Sequence, residues 1–404
     1  MAGQIQNPSR PELDLTLSAM PARLSEMRLA LPDWRDKIPK GEARGKLRVR
    51  GPLEIDKEWH DWPLSVSGEV AALVPEFVMP PPEPGKVVDA TAAASAGAAP
   101  TQTDSLLPSG RLTKALQIKV SASIERFQKE DLNLAGLRVQ GVVNQGAFRG
   151  QVDIGEIFAG RLNVKNLDVP LLHKRPLVQG EAAWGGLVLQ DVIGFLQPEY
   201  KTFASGKLAG RSTFKTFLPG EPAFWQGLQA KGDFVAEPVT LNSVKVGEMV
   251  NSLVGKVPVL KLNPVKLTPL NGSARASYEL RGGVFELPSF VARDVDNSEI
   301  QLKGKVALPG LDGDLIGTFY WATPQVKGCL LEGNSDSQGR MAIPIAVRGN
   351  LMNPQTALVT DLAVKLAGRA LECESKKLVD KVRKSGSDAV QKEINKALKG
   401  ILGN

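Results

Sequence analysis

Leu116-Gln117-Ile118-Lys119-Val120-Ser121-Ala122-Ser123-Ile124-Glu125 alternates apolar and polar residues without a break. Successive side chains of a strand point to opposite faces, so this stretch predicts a strand with one apolar face and one wetted face. The same phase returns in Leu13, Leu15 and Leu17, in Leu64, Val66 and Val70 with Gly68 in step, and in Ile300, Leu302, Val306 and Leu308. One-sided strands belong to antiparallel sheets; parallel sheets, covered on both faces, read instead as continuous apolar runs. Asn144-Gln145-Gly146 and Arg281-Gly282-Gly283 separate pairs of such runs, and their glycines supply the positive φ of a tight hairpin. About seventeen candidate strands follow, with neighbours paired in sequence order.

The composition fits that reading. Among 404 residues there are 40 glycines and 28 prolines but only 5% aromatics, which suits short strands and turns rather than a helical bundle. Hydrophobic residues at 42% are enough for a core. No apolar run approaches the ~18 residues of a membrane-spanning helix, and the opening MAGQIQNPSRPELDL lacks a leader-peptide pattern. The net charge of +7 is mild and spread out. Without a concentrated basic stripe or an interleaved aromatic platform, nucleic acid is not an expected partner. Cys329 and Cys373, with His60 and His173, are too scattered for a metal site, and no cofactor is expected. The two cysteines either pair in an oxidising compartment or remain buried thiols.

Two segments break the alternation. Residues 79–109 are rich in Pro, Ala, Ser and Thr and read as a linker or disordered loop between an N-terminal β portion, 1–78, and a main β body, 110–360. From 361 to 404 the period becomes helical. One helix is expected over about 361–384, and a second, capped by Ser387, carries Val390, Ile394, Leu398 and Ile401 on one face. Lys392, Lys396 and Lys399 lie on that second helix; from Lys376 to Lys399 there are eight basic and three acidic residues. Such a helix suits either an anionic membrane surface or an amphipathic cap on the last strands. Shorter apolar helical turns are expected at 167–172, 190–197 and 243–254. A weak repeat opens strands on glycine, as in Gly45-Lys46-Leu47, Gly160-Arg161-Leu162, Gly206-Lys207-Leu208 and Gly304-Lys305-Val306.

Catalytic chemistry is hard to find. Two histidines leave little room for acid–base catalysis, and no nucleophile elbow, phosphate-binding glycine loop or zinc-protease helix occurs. An enzyme acting on polysaccharide would need convergent carboxylates, which the sequence does not offer. Trp59 and Trp62 suit the anchoring of a sheet end better than sugar stacking. Pro288 and Pro344, inside apolar alternations, mark a bulge or an edge strand.

One-sided strands in this number create an accounting problem. At about four apolar side chains each, some 70 groups need cover, far more than the few helices supply. A sandwich, a barrel or an open trough would each solve it. A trough floored by Leu116, Ile118, Val120, Ile124, Leu162, Val164, Ile300, Leu302, Val306, Ile343, Ile345 and Val347 suits flexible acyl chains. The expected fold is therefore mainly β: a long, curved antiparallel sheet forming an open groove, with a few short helices and amphipathic C-terminal helices.

The stretch Met341-Ala342-Ile343-Pro344-Ile345-Ala346-Val347-Arg348-Gly349-Asn350-Leu351-Met352-Asn353-Pro354 resembles the closing strand of AsmA-like proteins. Pro344, Gly349, Asn353 and Pro354 stand at that motif's fixed positions. Residues 260–310, and Gly160–Leu172 followed by Gly206–Phe217, are similar to the same family, so the resemblance covers about 110–404 well and 1–78 loosely, with 79–109 resembling an insertion. It implies an envelope protein of Gram-negative bacteria, related to repeating-β-groove lipid-transfer bridges. Such a protein sits in the periplasm, tethered to the inner membrane by an N-terminal helix. That helix is missing here, and the first strand is expected near residue 11 with an exposed edge, so the chain reads as the C-terminal part of a longer family member or as a truncated gene product. The implied function is non-enzymatic: phospholipid acyl chains shielded in transit between inner and outer membrane. The alternative is a structural factor for outer-membrane protein assembly that carries no lipid.

Overall fold

Residues that alternate in phase form strands here almost without exception. The computed structural model describes residues 2–6, 12–24, 39–52, 54, 57–78, 110–129, 131–173, 176–196, 198–217, 227–241, 270–308, 310–322, 328–351 and 360–385. The strands are β1 (Ala2–Gln6), β2 (Glu12–Arg23), β3 (Lys40–Pro52) and β4 (Ser65–Val78), then, after the one-turn helix α1 (Arg111–Lys114), β5 (Leu116–Lys129), β6 (Leu132–Asn144), β7 (Ala147–Ile157), β8 (Gly160–Pro170) and β9 (Leu177–Val188). Helix α2 (Leu189–Leu196) leads to β10 (Ala204–Phe217), β11 (Gln229–Leu241), β12 (Leu270–Arg281), β13 (Val284–Asp294), β14 (Glu299–Ala307) and β15 (Asp312–Trp321). Helix α3 (Cys329–Glu332), strand β16 (Met341–Asn350) and helix α4 (Thr360–Ser385) complete the described chain. The sixteen strands are ordered β1 to β16 in one sheet, open because its first and last strands do not meet. The chain is mainly β, as the alternation implies.

Three sequence expectations change. The first strand is β1, not the run beginning near residue 11; five residues with one large apolar side chain, Ile5, are too short to show a period. The sheet is not wholly antiparallel either. β4 and β5 run parallel, with Val66 opposite Leu116 and Val74 opposite Ile124. Parallel neighbours need a crossover of a dozen or more residues, and the stretch after Val78 supplies that length. Finally, Leu167–Pro170 is the end of β8 rather than a helical turn. The segments 79–109, 243–254 and 387–402 lie outside the described residues, and with them Val390, Ile394, Leu398, Ile401, Lys392, Lys396, Lys399, Asn353 and Pro354.

By its internal contacts the chain divides into two units: Met1–Pro198 with Lys207–Phe234 and Leu280–Gly283, and Glu199–Gly206 with Val235–Glu279 and Val284–Asn404. In the first, the 144–146 turn forms as read, with φ of 51° at Gln145 and 73° at Gly146. An unforeseen turn of the same kind, Phe158-Ala159, joins β7 to β8 at φ of 48° and 57°.

The second unit holds a sealed core. Ala292, Ile300, Phe319 and Ile343 form one cross-strand row, and Leu287, Gly304, Leu315 and Val347 form another. Ile300, Phe319 and Ile343 are only 2–3% exposed. The bulge between Leu287 and Phe290 contains Pro288, and Pro344 sits on the sheet's last strand, both as their chemistry requires.

On the opposite face at Ile300's end of β14, Glu299 is 4% exposed and accepts from Arg293 at 2.6 and 3.0 Å and from Gln301 at 2.6 Å. Arg340 lies 3.8 Å from the same carboxylate, 2.9 Å from Asp336, and 4.7 Å above the Tyr320 ring. Burial by itself would raise the Glu299 pKa, but the Gln301 and Arg293 hydrogen bonds and the two arginine charges outweigh it and hold the pKa below the usual value of 4.5. A carboxylate with a depressed folded pKa contributes stability above its unfolded pKa and loses that contribution as pH falls through the folded value. Glu299→Gln is expected to cost about 2 kcal/mol near neutrality and to flatten the loss of stability below about pH 4.5, checked by urea denaturation across pH.

Gly304 explains part of the glycine repeat. Its φ of +146° is one that side chains rarely adopt, and a Cβ there would lie 2.1 Å from the Asp314 carbonyl oxygen. Gly206, its partner in the repeat, has φ of +135° and a similar approach to Pro238. Gly304→Val should therefore destabilise the protein by roughly 1–3 kcal/mol, read as a lowered melting temperature.

Candidate functional site

In the first unit, strand register turns separate alternations into continuous rows. Leu15, Val49, Val66 and Leu116 stand side by side on β2 to β5. The next row runs Leu17, Leu47, Gly68, Ile118, Val143 and Phe148. A third passes through Val70 and Val120 to Gly141, Gly150 and Leu167, and a fourth joins Ala72, Ala122, Val139, Val152, Val164 and Ala182. The fifth reads Val74, Ile124, Leu137, Ile154, Leu162, Trp184 and Gly210. At ~4.8 Å between strands and ~6.6 Å between alternate residues, the staggered rows run diagonally across a field roughly 38 Å by 27 Å. The parallel junction does not interrupt it, because β4 and β5 are in phase.

Cover differs along the sheet but not strictly by unit: Val74 and Ile154 of the fifth row are 3% and 9% exposed. Leu116, Ile118, Val120, Ile124, Leu162 and Val164 are all half-buried, as are Leu302 and Val347. Ile300, Val306, Ile343 and Ile345, read from the sequence as groove floor, are instead at most 5% exposed. Those four fill a core and offer no surface to a ligand. Among the described residues, the main packing partners of β5, β6, β7 and β8 are their neighbours in the sheet.

Small elements close the ends of the lining. Gly110 packs against the backbone of His60, and Thr113 is buried in α1, where its hydroxyl accepts from Gly110 N–H at 3.0 Å. Trp62 donates its indole N–H to the Lys57 carbonyl at 2.9 Å, which fits the structural role expected of it. Across the other end, Phe195 of α2 meets Phe158 at 5.5 Å between ring centres. Phe77 and Phe127, opposite each other on β4 and β5, pack edge to face at 5.6 Å.

The reverse face is polar and laced with ion pairs. Asp14 bridges Arg48 at 3.0 Å and Arg50 at 3.2 Å, and Arg211 meets Asp233 at 2.9 Å. An open hollow of about 560 Å³ lies there among Lys46, Arg48, Glu69 and Lys119. Mixed charges line it, with no histidine. His60 sits in the turn Trp59–Asp61 and His173 is exposed after β8, so the two imidazoles belong to different loops.

Known protein families, curated proteins and solved structures yield no match to this chain.

The remaining predicted positions lie on α3, α4 and β16. Cys329 and Cys373 are joined in a disulfide with Cα atoms 5.4 Å apart, fastening α4 to α3. Glu332 lies beside both sulfurs, but a bonded pair of sulfurs is not a thiolate ligand set for a metal. Lys377 adds an ion pair to Glu332 at 2.7 Å, while Leu371 and Val379 stay exposed on α4. Pro344 and Gly349 both lie on β16.

Trp184 had no distinguishing sequence signal; it stands in Ala182-Ala183-Trp184-Gly185-Gly186 as one apolar residue among small ones. Only the register places it in the lining.

The disulfide closes a separation of 44 residues, a constraint worth about 4 kcal/mol in chain-entropy terms. Because α4 packs mainly on α3, replacing both cysteines by serine should free α4 rather than unfold the sheet. Trypsin cleavage at Lys376, Lys377 and Lys381 is expected to accelerate at least tenfold, with the β-sheet circular dichroism unchanged.

Proposed function

We propose that the apolar lining of the first unit shields phospholipid acyl chains, in the manner of the AsmA-like proteins that the β16 motif resembles. The carrying observation is the set of five in-register apolar rows, staggered from β2–β5 in the first to β4–β10 in the fifth, most of whose side chains are half-buried. A lining on the order of 1000 Å² exceeds the 300–600 Å² patches usual on monomers, and such surfaces mark interaction sites. Leu, Ile, Val, Ala and Gly dominate it, a surface that takes flexible hydrocarbon without demanding a shape. Its extent along the strands, about 27 Å, is comparable to the ~30 Å hydrocarbon core of a bilayer. Each methylene moved from water onto it gains up to about 0.8 kcal/mol, so acyl chains bind with no catalytic step. Headgroups stay in water at the strand ends. The setting that goes with this reading is the periplasm of a Gram-negative envelope, with transfer between inner and outer membranes.

Native purification followed by lipid extraction and mass spectrometry tests the proposal. Phospholipid is expected to accompany the wild-type chain. The double variant Val120→Asp, Val139→Asp places two charges in the lining and should lose most of that lipid while keeping the sheet's circular dichroism. A folded variant that retains the wild-type amount counts against the proposal, as does a lipid-free native protein.

A further inference from the structure

Trp184 is the odd member of the lining. It lies on β9 between Leu162 of β8 and Gly210 of β10, and its ring covers Gly210 so closely that a Cβ there would fall 2.7 Å from Cζ2. The indole Nε1 is shielded from solvent and has no hydrogen-bond acceptor among the described residues. Buried donors without partners are rare in native structures, and a buried tryptophan N–H usually finds one. A phenylalanine would cover the same glycine without leaving a donor stranded. The rest of this row, from Val74 to Leu162, is hydrocarbon, and the neighbouring backbone groups are engaged in the sheet.

We infer that the Trp184 indole N–H receives the ester carbonyl of a bound glycerolipid and so fixes where the lipid's polar end stops along the lining. The inference rests on the shielding role proposed above and adds the chemical class of the contact. Position favours it: Trp184 is four residues from the end of β9 and opposite the third residue of β8, so it lies near a strand-end boundary of the lining. An ester group sits at that boundary between tails and headgroup. A phosphate would be a poor partner here, since an unpaired charge on an apolar face bears the full desolvation cost; a carbonyl is neutral and needs one donor. Because Nε1 is covered in the chain alone, the indole must turn slightly when the ligand arrives.

The test compares two phosphatidylcholines of equal chain length, one ester-linked and one ether-linked, which differ at the linkage carbonyls. Full-length protein is incubated with vesicles of each, re-isolated, and its bound lipid quantified by mass spectrometry. Wild type is expected to retain the ester lipid roughly fivefold over the ether lipid, the scale of one net hydrogen bond. Trp184→Phe should bring the ester-to-ether ratio down to about one, with the melting temperature unchanged. Equal retention of both lipids by wild type overturns this inference and leaves the shielding role standing. A preference surviving in Trp184→Phe also overturns it. If wild type retains neither lipid, the inference and the shielding role fall together.

Discussion

Cross-strand phase is the constraint on which this structure depends. A strand's side chains alternate faces with a period of two, so a slip of one residue between neighbours would move every apolar group to the wet side. Across β2 to β10 the pairing keeps Leu47, Gly68, Ile118 and Val143 on one face and Arg48, Ser67, Gln117 and Asn144 on the other. Bulges occur, between Ala19 and Ala22 and between Gly150 and Val152, yet the apolar phase resumes beyond each. The lining is thus a collective property of many pairings rather than the product of a few large residues.

The same alternation serves two ends. In the second unit it makes a closed core, where Phe319 and Trp321 supply bulk and a fully paired Glu299 stands behind. In the first unit it makes a surface that its own described elements leave half open. Cover, not composition, distinguishes Ile118 from Ile300.

That distinction is also where sequence reasoning stopped. The alternation made the strands legible, and glycine chemistry marked the turns at 144–146 and 281–283, because both signals are local. Ile118 and Ile300 stand in nearly identical patterns, and nothing local says which one is sealed. Strand direction at β4 and β5 is equally invisible, since an alternating run reads the same for either neighbour orientation. The glycine repeat was half meaningful: Gly206 and Gly304 share a backbone conformation reserved for glycine, whereas Gly45 and Gly160 do not. Trp184 needed long-range pairing to acquire a role. The disulfide, left open by spacing alone, depended on the position of α4 against α3.

The parallel junction has a topological effect of its own. Had β5 followed β4 through a tight hairpin, the chain would have continued as a simple up-and-down meander. By restarting at the end where β4 began, β5 flips the sense of travel for every strand after it in the first unit. The Phe158-Ala159 turn and α2 consequently gather on the rim where β4 finishes, while the Gln145-Gly146 turn falls on the rim where it starts. The crossover between β4 and β5 thereby acts as a parity switch, deciding which rim carries the Phe158–Phe195 pair and which carries α1 and the Trp59–Asp61 turn.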